Sequence, residues 1–325
     1  MYSVTKTSVP EYALHEIARH HLPGRTVRSI IELPEGMYNA AFRIELADGP
    51  DAILKVAPPD HVRVLRYERD IMRAEVEMMR LVRAQTAVPV PEILVHDTSR
   101  RLVDNNFYLM ACIPGQPLNK LRKDLSEQAQ TRIDRQAGDL TRQINALRGP
   151  AFGYVAQPER HAPSWRQAFA GMLEDVLADG VDAGVELPLP YDEVRARAAR
   201  WYPALDAVTV PQLVHWDLWD GNIFVDPERL QINGIVDFER ALWGDPLMEV
   251  QFEFRGPQSA YAAGYGRPIF VDEEATVRRA LYNVYLYAIM VIECTYRQYD
   301  DDGQERWARG RLARELDRLD SGFGQ

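Results

Sequence analysis

Asp217, Asn222 and Asp237 are the residues whose types and spacing are best suited to chemistry. The stretch around them reads Leu-Val-His-Trp-Asp-Leu-Trp-Asp-Gly-Asn-Ile-Phe-Val from Leu213. After a turn it continues Ile-Asn-Gly-Ile-Val-Asp-Phe-Glu-Arg-Ala-Leu-Trp-Gly-Asp-Pro-Leu-Met, ending at Met248. Asp217 and Asn222 stand on a turn leading into apolar Ile223 to Val225, and Asp237 follows a second apolar run, Ile235 to Val236. Two short strands joined at Asp226-Pro227 predict a hairpin that brings the three polar side chains to one end. Phosphoryl transfer uses such a set: one carboxylate to orient and deprotonate a hydroxyl, and an amide with a second carboxylate as hard oxygen ligands for Mg²⁺. Asp and Asn also cap ordinary turns, so the weight rests on the ordered set rather than on any one residue.

The order His215-x-Asp217, four further residues, Asn222, then an apolar strand ending in Asp237-Phe238 resembles the catalytic and metal-binding motifs of the protein-kinase fold. Trp216 to Asn222 and the run Gly-Asp-Pro-Leu-Met-Glu at Gly244 to Glu249 are similar to its aminoglycoside phosphotransferase and fructosamine kinase branch, which phosphorylates small molecules. The resemblance implies ATP and Mg²⁺ as cofactors, Asp217 as catalytic base, Asn222 and Asp237 as metal ligands, and His215 as a brace for the loop. Asp245 would tie its loop to the catalytic turn. Asp237-Phe238 is followed by Glu239 rather than Gly, and Gly244-Asp245-Pro246 arrives almost at once. No room is left for a long phosphorylated activation segment, which disfavours a protein substrate.

The elements that must position these groups begin with a helix over Glu11 to His21, ended by Pro23-Gly24. Three antiparallel strands follow at Val27 to Leu33, Ala40 to Leu46 and Ala52 to Val56. The first turn, Pro34 to Asn39, has one glycine, Gly36. Alone it is an ordinary hairpin turn, whereas the family resemblance makes Gly36 and Asn39 part of a cover over the nucleotide phosphates. Lys55 lies in the apolar Ile-Leu-Lys-Val-Ala, where the resemblance places a lysine on the α- and β-phosphates, paired with an acid on the next helix. That helix is expected over Tyr67 to Arg83. Glu75 is the chosen partner, with Glu68 as its rival.

Val88-Pro89-Val90-Pro91 ends the helix, and strands are expected at Ile93 to His96 and Phe107 to Cys112. The punctuated Ile113-Pro114-Gly115-Gln116-Pro117 marks a boundary. By the resemblance it is a hinge, with backbone groups around Met110 and Cys112 meeting the adenine edge. The expected architecture is α+β, a protein-kinase-like bilobal fold. Residues 1–113 form an antiparallel-sheet, nucleotide-binding lobe, and residues 114–325 form a larger, mainly helical catalytic and substrate-binding lobe.

Beyond the boundary, helices are expected from Ser126 to about Leu147, from Ser164 to Gly180 and from about Asp192 to Leu205. Two long ones follow at Glu273 to Gln298 and Gln304 to Leu319. Tyr282, Tyr285, Tyr287, Tyr296 and Tyr299 read chiefly as packing residues, with a substrate cleft as the other role open to some of them.

The chain has 325 residues, 46% hydrophobic and 26% charged, ordinary values for a folded globular protein. A formal net charge of -10 argues against nucleic acid as the main partner, since phosphate backbones bind basic surfaces. Only Cys112 and Cys294 are present, so a disulfide framework is not expected, and a cytoplasmic location is. There is neither a signal-peptide core nor an apolar run long enough to span a bilayer. The partner expected is a small hydroxylated molecule, whose identity the chain leaves open, as it does the oligomeric state. Acids at Glu253, Glu293 and Asp300 to Asp302 could draw in a cationic acceptor or simply be surface charge. A catalytically inactive, kinase-like binding protein is the alternative, disfavoured by the intact Lys55, Asp217, Asn222 and Asp237.

Overall fold

In a computed structural model of the chain, residues 3–268 and 272–323 are described. Helix α1 (Glu11–His21) is followed by β1 (Val27–Leu33), β2 (Ala40–Leu46) and β3 (Ala52–Val56). After α2 (Ile71–Gln85) come β4 (Ile93–Asp97) and β5 (Phe107–Ala111). These strands form one antiparallel sheet in the order β1-β2-β3-β5-β4. Alternation along β3 explains both of its faces. Ala52, Leu54 and Val56 point into a core with Leu14, Ile17 and Ala18 of α1, so Lys55 must point to the other face, opposite α2.

The chain then forms β6 (Gln116–Pro117), α3 (Leu118–Leu121), α4 (Glu127–Ile144), β7 (Gly153–Tyr154), α5 (Trp165–Asp182) and α6 (Tyr191–Ala199). Next come β8 (Gln212–Val214), β9 (Ile223–Asp226), β10 (Gln231–Ile235) and β11 (Leu242–Gly244). The helices α7 (Gln251–Phe254), α8 (Ala260–Tyr265), α9 (Glu273–Arg297) and α10 (Gly303–Ser321) complete it. Two small sheets, β10-β9-β6 and β7-β11-β8, carry the loops of the site. Gly115 at φ +112° lets the chain cross β9, where a Cβ would come within 2.5 Å of the Val225 carbonyl oxygen.

The bilobal α+β expectation matches, and the three first strands have the expected bounds. Four local expectations change. The helix after β3 starts at Ile71, because Asp70 adopts a left-handed backbone (φ 60°) and residues 66–68 form a separate tight turn. Helix α5 passes through Gly180 to Asp182, since Gly180 leaves room for Tyr191 and Ile292 and is not a terminator. The helix expected to Leu205 stops at Ala199, just ahead of Pro203, and residues 202–207 follow as a 3₁₀ turn. The hairpin turn is longer, spanning 227–230 between β9 and β10.

One apolar core runs without a break from Leu65, Ile71 and Met79 beside the large sheet, through Phe238, to α5 and α9. Tyr282, Tyr285 and Tyr287 lie fully inside it, so they pack. A buried ion pair, Arg297 with Glu68, crosses the same seam, and the Arg297 guanidinium also donates to the Met37 carbonyl at 2.9 Å.

Candidate active site

The hairpin gathers the three polar residues as expected. Its last rung pairs Ile223 with Ile235, and the Val236 amide donates to the Asn222 carbonyl at 3.1 Å. Asp217 and Asn222 on one arm and Asp237 on the other therefore share one end. Asn222 Nδ2 donates to the Asp217 carbonyl at 2.8 Å and approaches its carboxylate at 3.3 Å. The amide nitrogen is thereby committed to Asp217, and the Asn222 carbonyl oxygen is left for a cation.

Lys55 enters from the large sheet. Its Nζ lies 2.7 Å from Glu75 on α2 and 2.7 Å from Asp237. Glu68, the rival partner, faces Arg297 instead. Burial works against the ammonium, but Asp237 and Glu75 together raise the Lys55 pKa well above its usual value. Burial likewise opposes ionisation of Asp237, and Lys55 outweighs it, holding this carboxyl below the ordinary range. Glu75, Asp237 and Glu239 bring carboxylate oxygens within 4.8 Å of one another, but the Lys55 ammonium already sits between the first two.

Asp217 behaves differently. Burial, aided by Asp237 and Glu293 against the opposing Arg240 and Asn222, pushes its pKa up to about 7, the range suited to a general base. Two residues here have left-handed backbones, Trp216 (φ 62°) and Asp237 (φ 73°), a strained state for such side chains that the surroundings must hold. His215 is fully buried. Its Nε2 is 2.9 Å from the Val236 carbonyl, its ring meets Phe238 at 4.3 Å, and burial lowers its pKa to about 4. A neutral imidazole thus bridges the two arms.

The acid under the catalytic turn is Glu249 rather than Asp245. Glu249 accepts from the His215 amide at 3.0 Å, the Trp216 amide at 3.2 Å and Asn145 Nδ2 at 2.9 Å. Asp245 is drawn the other way, capping Leu247 and pairing with Arg278 and Tyr282 of α9. The sequence signal for Glu249 was present, since it closes the Gly-Asp-Pro-Leu-Met-Glu run. Arg240 carried no such signal. It lies within the buried site, 3.2 Å from Glu293 and with its guanidinium 5.7 Å from the Tyr67 ring centre.

On the nucleotide side, Asn39 is buried and donates to Glu239 at 3.0 Å. Gly36 has no left-handed backbone, and a Cβ there would meet the Asn39 carbonyl oxygen at 3.2 Å, so closeness and not torsion favours glycine. At the expected hinge, two amides are already occupied within the protein. The Ala111 and Cys112 amides donate to Glu92 and Asp51 at 2.9 Å each, and Met110 is held within the sheet. Ile113 is the first amide past β5 that makes no hydrogen bond among the described residues. Of the acids proposed for a cationic acceptor, Glu253 is engaged with Arg311, Tyr287 and Asn283, Glu293 with Arg240, and Asp302 with Arg306, while Asp301 accepts from the Gly303 amide.

A model of the phosphotransferase enzyme family matches residues 29–282. Among curated relatives, a probable ketoamine kinase of Vibrio cholerae serotype O1 is 25% identical over 220 residues, covering 65% of this chain and 71% of that protein. A probable ketoamine kinase of Vibrio vulnificus is 24% identical, covering 66% and 71%. Solved structures share the fold at low identity. A thermostable mutant of aminoglycoside phosphotransferase APH(4)-Ia with AMP-PNP and hygromycin B has a TM-score of 0.68 at 18% identity, covering 96% of this chain and 99% of that one. The GDP complex of aminoglycoside 2'-phosphotransferase-IIIa has a TM-score of 0.66 at 16% identity, covering 95% and 99%. With the family model spanning most of the chain, the chain belongs to the phosphotransferase enzyme family.

Proposed function

We propose that this phosphotransferase moves the γ-phosphoryl group of ATP to a hydroxyl of a small molecule, with Mg²⁺ as the metal. The observation that carries the proposal is Lys55 Nζ held 2.7 Å from both Glu75 and Asp237, at the end of the hairpin that also presents Asp217. Lys55 holds the α- and β-phosphates and orients them by its own double anchorage. Asn39 and the 34–39 turn cover them. Asn222 and Asp237 are oxygen donors of the kind Mg²⁺ prefers, and they would hold it. When bound, the ion supplies charge neutralisation at the phosphates.

Asp217 takes the acceptor hydroxyl into a hydrogen bond and receives its proton as the oxygen attacks the γ-phosphorus in line. A carboxyl pushed up to about 7 accepts that proton readily near neutral pH. The neutral His215 and the Glu249 carboxylate keep the turn in shape throughout, and no covalent enzyme intermediate is needed. Two free cysteines and the use of ATP agree with a cytoplasmic location. No helix among the described residues is long and apolar enough to cross a membrane.

The test is Mg²⁺-dependent nucleotide binding together with ADP release across a panel of hydroxylated metabolites and antibiotics. Binding without turnover of any acceptor, unchanged by Asp217→Asn, would support the inactive binding protein instead.

A further inference from the structure

Fourteen residues, 57–70, link β3 to α2; the first four stay with the large sheet, where Asn105 donates to the Ala57 and Pro58 carbonyls at 3.2 and 3.1 Å and Arg100 pairs with Asp60, and residues 61–70 leave it. They cross to the helical lobe. The Arg66 amide donates to Asp179 of α5 at 2.8 Å, and its guanidinium pairs with Asp179 and, at 2.7 Å, with Asp182. Gln157 holds the Arg66 carbonyl, Arg63 lies over the Tyr296 ring at 4.9 Å, and Glu68 meets Arg297. At the centre of this crossing Tyr67 is buried. It stacks on Tyr154 at 5.4 Å and meets Trp216 edge-on at 6.5 Å, while Trp216 stacks on Tyr285 at 5.2 Å.

Trp216 is the residue before Asp217, and Arg240 lies against both Tyr67 and the field of Asp217. Tyr67 thus packs on the residue that precedes the base, against a set of neighbours separate from Lys55, which faces Glu75 and Asp237. The indole Nε1 of Trp216 is buried there without a hydrogen-bond partner among the described residues, an unmet donor beside the base. Carboxylates bordering this floor are each matched by an arginine: Asp175 with Arg160, Asp179 with Arg66, Glu293 with Arg240. A densely cationic ligand finds no spare anion among them. A flat ring in the place of Tyr67 finds the face of Tyr154, meets Trp216 edge-on and has one unmet donor beside it.

Building on the phosphotransferase assignment, we propose that residues 61–70 are a gate over the acceptor half of the site. Tyr67 holds the acceptor's place against Tyr154 and Trp216. The acceptor is a hydroxylated molecule with a flat apolar face, not a polycation. Entry requires the Arg66–Asp179 latch to release, and a hydrogen-bond acceptor on the ligand meets Trp216 Nε1.

The gate is tested first without any acceptor, on the full chain, by the slow hydrolysis of Mg²⁺-ATP. Water attacks the γ-phosphorus, the bond to the ADP oxygen breaks, phosphate leaves and the water proton passes through Asp217 to solvent. Asp179→Asn and Tyr67→Ala admit water and raise this hydrolysis roughly tenfold, the change expected on losing one charge-assisted hydrogen bond. Hydrogen exchange at the Arg66 amide accelerates in Asp179→Asn to a similar degree. Unchanged hydrolysis in both variants with unchanged exchange overturns the gate. With flat phenolic and aromatic alcohols as acceptors, Tyr67→Ala lowers KM, because the ring no longer competes. Aminoglycosides turned over faster than every flat alcohol overturn the acceptor class. Nucleotide affinity separates the two levels. Normal Mg²⁺-ATP binding with flat gate readouts refutes the gate alone, and absent Mg²⁺-ATP binding in the unaltered enzyme refutes the assignment beneath it.

Discussion

Glu249→Gln isolates the support of the catalytic turn from its chemistry. Glu249 is fully buried and takes three N–H groups, those of His215 and Asn145 on one oxygen and that of Trp216 on the other. Glutamine keeps one acceptor oxygen, which serves His215 and Asn145, and turns its NH₂ toward the Trp216 amide. One charge-assisted bond is lost and a buried N–H then faces a donor, a cost of about 2–4 kcal/mol. Trp216 is also the residue in a left-handed backbone (φ 62°), so releasing its amide lets about 1–2 kcal/mol of strain relax by moving the turn. The net loss, about 1–2 kcal/mol, lowers the melting temperature of a chain this long by about 2–3 °C. Because Asp217 follows directly, a displacement near 1 Å slows turnover by about 10²-fold. Lys55, Glu75 and Asp237 do not contact Glu249, so nucleotide affinity stays near its original value. Thermal melting, AMP-PNP titration and ADP release measure the three quantities on one sample. Unchanged melting and turnover would refute the brace, and nucleotide affinity falling in step with turnover would show that Glu249 does not act through Asp217.

Asp217→Asn should slow turnover by roughly 10²–10⁴, the usual contribution of a general base, with Mg²⁺-ATP affinity nearly intact. Recovery of its rate at high Mg²⁺ would make Asp217 a metal ligand instead. In the unaltered enzyme kcat/KM should rise with pH up to about 7 and then level off, following the carboxyl pushed up to about 7. The stability sign is opposite. A carboxyl raised from 3.8 to about 7 favours the folded state at low pH and loses that contribution as pH rises through 7, so Asp217→Asn should melt above the unaltered protein at pH 8 and not at pH 4. Asn222→Ala and Asp237→Asn should each weaken Mg²⁺-nucleotide binding, read by calorimetry, and unchanged affinity in both would remove them as ligands. Lys55→Ala should abolish transfer and cost roughly 3–5 kcal/mol, because it strands the buried Glu75 beside Asp237. A variant that keeps full turnover would reduce Lys55 to a strand residue.

Much of this architecture was legible because local and global signals agree. The alternation in Ala52–Val56 set both faces of β3, and Ser126 and Ser164 cap the helices they precede, each side chain accepting from an amide three residues on. Where local signals failed, packing at a distance decided. Gly180 reads as a stop, yet it is the contact point for Tyr191 and Ile292. Tyr67 to Asp70 has helical composition, but Asp179 and Arg297, more than one hundred residues away, pull this segment out of the helix. Asp245 was misassigned because motif order does not reveal which of two nearby acids faces the turn. Only the path of α9, which brings Arg278 and Tyr282 to Asp245, settles that. Arg240 and Arg297 left no mark at all, since a buried charge is recognisable only by the partner folded against it.

The core that runs unbroken from Ile71 and Met79 through Phe238 to α9, with the Arg297–Glu68 pair across it, bears on how this protein comes apart. Removing one member of such a pair leaves a bare charge in an apolar seam, so neither half can release the other without unfolding its own edge. The large sheet and the helical half should therefore melt as one cooperative unit, with calorimetric and van't Hoff enthalpies agreeing. It follows that a nucleotide gripped at Lys55 protects amides as far off as α10 against exchange, because the openings that expose them, unlike the local release of the Arg66–Asp179 latch, are openings of the whole molecule.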